Sequence, residues 1–256
     1  MMSSYTIATI QNLNLEELKA SYEDAKHIDP TFDWTNLDYI FNIACHHIDR
    51  FPGINIKSHQ SPDAYIHRWV QRYYEAETNL PSKRKAKPKS SCTDPAIREI
   101  VRATRCLSND AAVNCENVHN LFMSAENIQG NLLEEYIALK TRKYGFLWCN
   151  GNVLRAIDFC NTDGSLFLQI KNKSNTENSS SSNIREGTNI KKWFRLGTRT
   201  QNGQKYPDYK WADLNAIINS NRTDNHELNP CQLSEEEYIS FLDNVATRNT
   251  ELITDK

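Results

Sequence analysis

Residues 156–171, AIDFCNTDGSLFLQIK, constrain this chain more than any other stretch. Two apolar runs flank Asp163-Gly164, a dipeptide that favours a tight hairpin turn because both central positions tolerate positive φ. With those two residues as the loop, Thr162 faces Ser165 and Asp158 falls opposite Gln169. Lys171 lies two residues beyond Gln169, and side chains two apart on a strand share a face. A carboxylate, an amide and an ammonium then gather within cross-strand reach, about 5 Å. A two-residue and a four-residue loop both preserve this face, whereas a three-residue loop would turn one strand over.

Composition sets wide bounds. The chain has 256 residues, 39% hydrophobic and 24% charged, enough for a large core. Its longest apolar runs fall short of the roughly 18 residues that cross a bilayer, and residues 1–10 lack the pattern of a signal peptide. Seven cysteines, an odd number with no Cys-x-x-Cys pair, read as reduced thiols in a cytoplasm. Cys45 and the adjacent His46-His47 do not make a metal site, since neighbouring helical residues point to different faces. The net charge is −2, which excludes a uniformly basic nucleic-acid coat. The bases are nonetheless concentrated: Lys171, Lys173, Arg185, Lys191, Lys192, Arg195 and Arg199 meet only Glu177 and Glu186 between residues 171 and 199, a partner signal.

The whole chain reads as a single domain of α/β class. Residues 1–110 are expected to be mainly helical, with a basic linker at 81–91. A catalytic core spans 120–200, and 208–256 form a helical end. Asn14 with Glu17 resembles a capping box. Thr35 is a candidate cap for a helix carrying Leu37, Ile40, Phe41, Ala44 and Ile48. Ser61-Pro62 opens a third helix with Ile66, Trp69, Val70 and Tyr73 on one stripe, most simply a core face. Lys83, Arg84, Lys85, Lys87 and Lys89 form a basic linker, solvated or in contact with phosphates. Thr93 is expected to cap a short helix with Ile97, Ile100 and Val101. Another helix is expected from Ser124 to about Lys143, its apolar side Ile128, Leu132, Tyr136 and Leu139. Gly130 inside it, which costs about 1 kcal/mol against alanine, suggests close packing or a nearby ligand. Residues 144–149 read as a connector or short strand and 184–195 as a helix. A turn follows near Pro207, then helices at 211–219 and 235–245, the second capped by Ser234.

The hairpin carries what metal-assisted phosphodiester hydrolysis needs: a fixed carboxylate, neutral oxygen ligands and positive charge near the scissile phosphate. Asp158 is the carboxylate. Gln169 offers an amide oxygen and Ile170 a main-chain carbonyl. Lys171 orients or deprotonates water, or neutralises the phosphate. The same residues also fit an ordinary hairpin with polar groups facing water.

Ile157-Asp158 followed by Gln169-Ile170-Lys171 resembles the PD-(D/E)XK nuclease superfamily, with isoleucine in place of the proline and glutamine in place of the second acid. That resemblance implies a restriction-endonuclease-like core, a mixed β-sheet flanked by helices, and a further carboxylate from the preceding helix. Glu134 is at the matching position, and Glu135 is the substitute, lying nearer the border of the apolar stripe. The implied metal ligands are Asp158, Gln169 and Glu134, with Mg²⁺ as the ion. The segments SAENIQG at 124–130, LLEEY at 132–136, QIKNK at 169–173 with the serine-rich run after it, Ile184-Arg185 and KWFR at 192–195 are similar to type II restriction endonucleases of the SinI group. This narrower resemblance implies Mg²⁺-dependent cutting of double-stranded GGWCC with 5′ overhangs. A homodimer would suit a palindromic target, with a cytosine methyltransferase as functional partner. It places Ser174 to Ser182 against DNA, with Arg185 as a candidate guanine reader and Lys173, Lys191 and Lys192 as phosphate contacts. A structure-selective repair or recombination nuclease, and a DNA-binding module with a decayed centre, remain alternatives.

Overall fold

The computed structural model describes residues 5–10, 13–56, 61–85, 94–173, 184–224 and 228–253. The chain divides into two compact units, one of residues 1–79 and 136–235 and the other of 80–135 and 236–256. The architecture is a five-stranded mixed sheet flanked by helices, preceded by a helical N-terminal part. The helices are α1 (Leu15–Ala25), α2 (Thr35–His46), α3 (Pro62–Thr78), α4 (Pro95–Arg105), α5 (Asn109–Thr141), α6 (Trp211–Ser220) and α7 (Glu235–Arg248). The strands are β1 (Phe146–Trp148), β2 (Phe159–Asn161), β3 (Phe167–Lys173), β4 (Lys191–Gln201) and β5 (Gln204–Tyr209).

In the first unit, local signals start the helices. The Asn14 side chain accepts from the backbone N–H groups of Glu16 and Glu17, and Ser61 accepts from Ala64 ahead of Pro62. Thr35 does not cap α2; its own N–H is taken by Asp33. The expected aromatic stripes form the core. Tyr22 stacks on Phe41 with ring centroids 3.9 Å apart, and Phe51 meets Trp69 edge-on. Leu147, Ile157, Cys160 and Phe167 from the sheet join the same apolar cluster. The six cysteines among the described residues form no disulfide with one another; Cys92 lies outside them.

The sheet order is β1-β2-β3-β4-β5, antiparallel throughout except that β3 and β4 run parallel. Here one expectation fails. Residues 191–195 are strand, not helix. Burial alternates at the start of the strand, with Trp193 and Arg195 buried between less buried neighbours, and Asn202-Gly203 closes the β4–β5 hairpin with both φ values positive, as a two-residue turn of the mirror type demands. Trp193 faces α6, its indole donating to the Lys210 carbonyl at 2.8 Å and its ring lying 5.2 Å from that of Trp211.

The second unit holds α4, the N-terminal part of α5 and most of α7. Asp94, not Thr93, caps α4, and α5 begins at Asn109, fifteen residues before the expected start at Ser124. Leu132, Leu133, Tyr136 and Ile137 are its buried apolar residues, while Leu139 is exposed. A Cβ added at Gly130 would meet nothing within 4 Å, so close packing does not account for that glycine. Tyr238 of α7 accepts from the Gln129 amide and donates to its carbonyl. The Asn249 amide donates to the carbonyls of Ser82 and Arg84, and Lys85 pairs with Glu251. Lys87 and Lys89 of the basic linker lie outside the described residues.

The connection from β1 to β2 is clamped against α3. Trp69 donates to the Val153 carbonyl at 2.8 Å, and Asn150 donates to Glu77 at 2.9 Å. Gly151 makes this approach possible: its φ is +73°, and a Cβ there would stand 2.6 Å from the Arg72 carbonyl oxygen. Gly151→Ala adds both left-handed strain and a backbone clash. It should cost at least about 2 kcal/mol, read as a lowered urea midpoint with the slope unchanged.

Candidate active site

The hairpin reaches the expected register by a different turn. Gly164 donates to the Asn161 carbonyl at 3.0 Å, closing the turn over Asn161–Gly164 with Gly164 at φ +70°. The Asn161 side chain then accepts from Leu166 N–H at 2.9 Å. The first ladder pair is Cys160 with Phe167, followed by Phe159 with Leu168. Six residues, 161–166, separate the first pair, and an even number preserves the faces. The ladder ends at that second pair, and Asp158 lies one residue before it.

Asp158 sits where β2 begins. Its N–H donates to the Leu168 carbonyl at 2.9 Å, and its carboxylate accepts from Ile170 N–H at 2.6 Å. The carboxylate thus takes the acceptor position that a longer β2 would have filled with a carbonyl. Asp158 is half-buried and Gln169 buried, while Lys171 is exposed. Burial pushes the Asp158 carboxyl above the usual aspartate range, opposed by the Ile170 hydrogen bond and by the Lys171 charge. A fixed, poorly solvated carboxylate next to an ammonium is the electrostatic signature of a functional centre.

The parallel β3–β4 register adds a fourth polar group. Gln169 pairs with Lys192 and Lys171 with Phe194, so Gln169, Lys171 and Lys192 share one face of the sheet, and the Asp158 carboxylate is held beside them on Ile170 N–H. Reading 184–195 as helix concealed this; the alternation of Lys192, Phe194 and Leu196 was the available signal. Lys173 continues the same face of β3 at its exposed end, whereas Lys191 points to the other face. Arg185 is exposed in a turn where its carbonyl accepts from Thr188 and its N–H donates to the Ile190 carbonyl. Residues 174–182, expected against DNA, lie outside the described residues.

In the second unit, Glu134 is half-buried on α5. Glu135 is buried and committed: its two oxygens accept from Ser82 N–H at 2.8 Å and Ser82 Oγ at 2.5 Å. Placing Glu135 nearer the buried face was therefore correct, and its task is to hold Ser82.

On the far face of the sheet Arg195 is buried. It donates to Asn172 at 2.9 Å and pairs with Glu235, which also accepts from the Trp211 indole at 2.8 Å. This network was not foreseen, because its members are distant in sequence. A cavity of about 460 Å³ is lined by Ile184, Lys191, Trp193, Lys210 and Asp213 and also by Lys192 and Phe194 of the polar face; Asp158, Gln169 and Lys171 do not line it.

Residues 47–226 match the SinI restriction endonuclease family. The chain belongs to that family. It is 34% identical over 174 residues to the type II restriction enzyme Eco47I of Escherichia coli, covering 66% of this chain and 67% of that one. It is 37% identical over 138 residues to the type II restriction enzyme SinI of Salmonella infantis, covering 52% of this chain and 59% of that one. The SinI-family match spans all five strands and every candidate residue of the polar face.

The donor set fits a hard divalent cation. Asp158, the Gln169 amide and the Ile170 carbonyl supply only oxygen, and the raised Asp158 carboxyl marks a charge the protein alone compensates poorly. Among the described residues no three His, Cys, Asp or Glu side chains gather into a metal-binding group, as expected where glutamine stands for an acid.

Two predictions follow from the wiring of this SinI-family fold. A carboxyl whose folded pKa is raised favours folding while protonated, and that contribution is lost as pH rises through the folded value. Asp158→Asn keeps an acceptor for Ile170 N–H. Without divalent ions it should melt higher than the parent at pH 8, and the difference should vanish toward about pH 4. Glu235→Ala leaves Arg195 buried without its carboxylate and should cost about 3–5 kcal/mol, measured by urea denaturation, with Glu235→Gln costing less.

Proposed function

We propose that this chain is a type II restriction endonuclease hydrolysing double-stranded DNA through the polar face at Asp158. The carrying observation is the Asp158 carboxylate held on Ile170 N–H beside the shared face of Gln169, Lys171 and Lys192, within a span matched to a restriction endonuclease family. Asp158, the Gln169 amide and the Ile170 carbonyl would hold Mg²⁺, with Glu134, at the position the family resemblance implies, as the helix carboxylate. Bound there, Mg²⁺ would supply a Lewis acid for the scissile phosphate and lower the pKa of water.

The protein side chains do the rest. The Ile170 N–H fixes the Asp158 carboxylate, so its free oxygen is pre-aimed without reorganisation. Lys171 is exposed beside that carboxylate, and its ammonium would balance the negative charge that grows on the phosphate. Lys192, one strand over, adds a second positive charge against the phosphate backbone. Lys173, Lys191 and Arg185 extend the basic track, Arg185 with the planar fork that reads guanine.

The resemblance to the SinI group favours GGWCC as the site, with 5′ overhangs and a cytosine methyltransferase protecting host DNA. Two strands of a palindrome present equivalent bonds, which a homodimer would cut with one centre each. Digestion of plasmid DNA in Mg²⁺, with the fragment ends sequenced, should give discrete fragments ending at GGWCC. A smear, or ends at branched structures, would favour a repair nuclease instead.

Lys171→Ala should lose at least about 10³-fold in single-turnover cleavage, some 4 kcal/mol of transition-state stabilisation, with DNA affinity in Ca²⁺ nearly unchanged. Gln169→Glu adds the missing negative charge. It should lower the Mg²⁺ concentration for half-maximal cleavage several-fold; an unchanged midpoint would place Gln169 outside the metal site.

A further inference from the structure

The helical hairpin of α4 and the first half of α5 carries its apolar residues on the wrong side for a monomer. α4 is strongly amphipathic, yet the contact it makes with α5 is polar: Arg98 Nε donates to Glu116 at 2.9 Å. Ile97, Ile100 and Val101, spaced as one helical stripe, stand 62%, 65% and 36% exposed. On α5, Val118, Leu121 and Phe122 form a second stripe, 43%, 39% and 66% exposed. Helices normally turn such stripes into a core. Single exposed apolar side chains need no explanation, whereas two stripes on one hairpin do.

We infer that this hairpin is the surface through which two copies of the chain associate, deepening the two-copy reading above. Area supports that occupant. The exposed parts of the six side chains amount to roughly 500–600 Å², the upper end of what monomers leave bare. With a polar rim they approach the ~800 Å² that each partner contributes to a stable interface. Charge supports it too. Within one chain Arg98 already pairs with Glu116 and Arg102 with Glu99, so the complementarity between copies rests on Arg105 of residues 95–105 and on Asp110 and Glu126 of residues 109–127, a stretch with no Lys or Arg. A two-fold arrangement sets the basic α4 of each copy against the acidic α5 of the other, twice over. The acidity of that half of α5 repels a polyanion, so DNA is not what covers it.

Sedimentation velocity of the full chain, without DNA, decides the matter. The parent should sediment as a dimer at micromolar concentration. Ile100→Glu and Phe122→Glu should each raise the dimer dissociation constant at least about a hundredfold, the loss expected for a charge at a buried anchor. Both sites are exposed in the single chain, so far-UV circular dichroism should be unchanged. Hydrogen exchange of the unaltered protein gives an independent reading: protection of residues 95–127 should grow with protein concentration. Dimers that persist in both variants, with no concentration-dependent protection there, overturn this surface and leave the two-copy reading intact. A parent that stays monomeric at every concentration overturns both.

Discussion

The hydrogen bond from Ile170 N–H to the Asp158 carboxylate is the contact on which the candidate site depends. It exists because β2 is short. One residue earlier in the chain than the strand proper, a side chain supplies the acceptor that the sheet ladder lacks. The same bond fixes the direction of the carboxylate and makes its burial tolerable, since a carboxylate stripped of water needs a donor or a cation. Folding and function therefore draw on one group. The sheet requires an acceptor at that point, and a metal requires a fixed, charged oxygen.

Everything that places Asp158 leads back to the aromatic core of the first unit. The β1–β2 connection is held on α3 by the Trp69 indole, by Asn150 with Glu77, and by the absence of a side chain at Gly151. On the other side β4 runs parallel to β3 and brings Lys192 level with Gln169. Arg195, Asn172, Glu235 and Trp211 brace the reverse face of the same strands. The candidate face is thus backed by a buried polar network, an arrangement that resists small displacements of its side chains.

Much of this was legible in the chain before any coordinates. The register holds as far as Phe159 with Leu168 although the turn lies one residue from its expected place, because parity depends only on whether the intervening count is even. The aromatic stripes of α1 to α3 were legible from their 3.6-residue periodicity, with which the capping side chains of α1 and α3 agree. What failed was β4. Its Lys, Trp, Phe and Arg residues fit either period over a short window, and the Asn202-Gly203 turn that settles the matter lies seven residues beyond Arg195. The Arg195 network and the Ser82–Glu135 lock were beyond reach for another reason: their partners are separated by 40 and 53 residues, and local pattern carries no trace of such pairings. Glu135 shows the useful limit, where burial was foreseen and the partner was not.

The central claim is that Asp158 is the fixed carboxylate of a Mg²⁺-dependent DNA-cleaving centre. Asp158→Ala, assayed by single-turnover cleavage of a short duplex containing the cut site at saturating Mg²⁺, tests it most directly. Binding of the same duplex in Ca²⁺ serves as the folding control. Cleavage should fall by at least about 10³-fold while the duplex is still bound. Cleavage within tenfold of the parent would contradict the assignment and move the centre away from this face of the sheet.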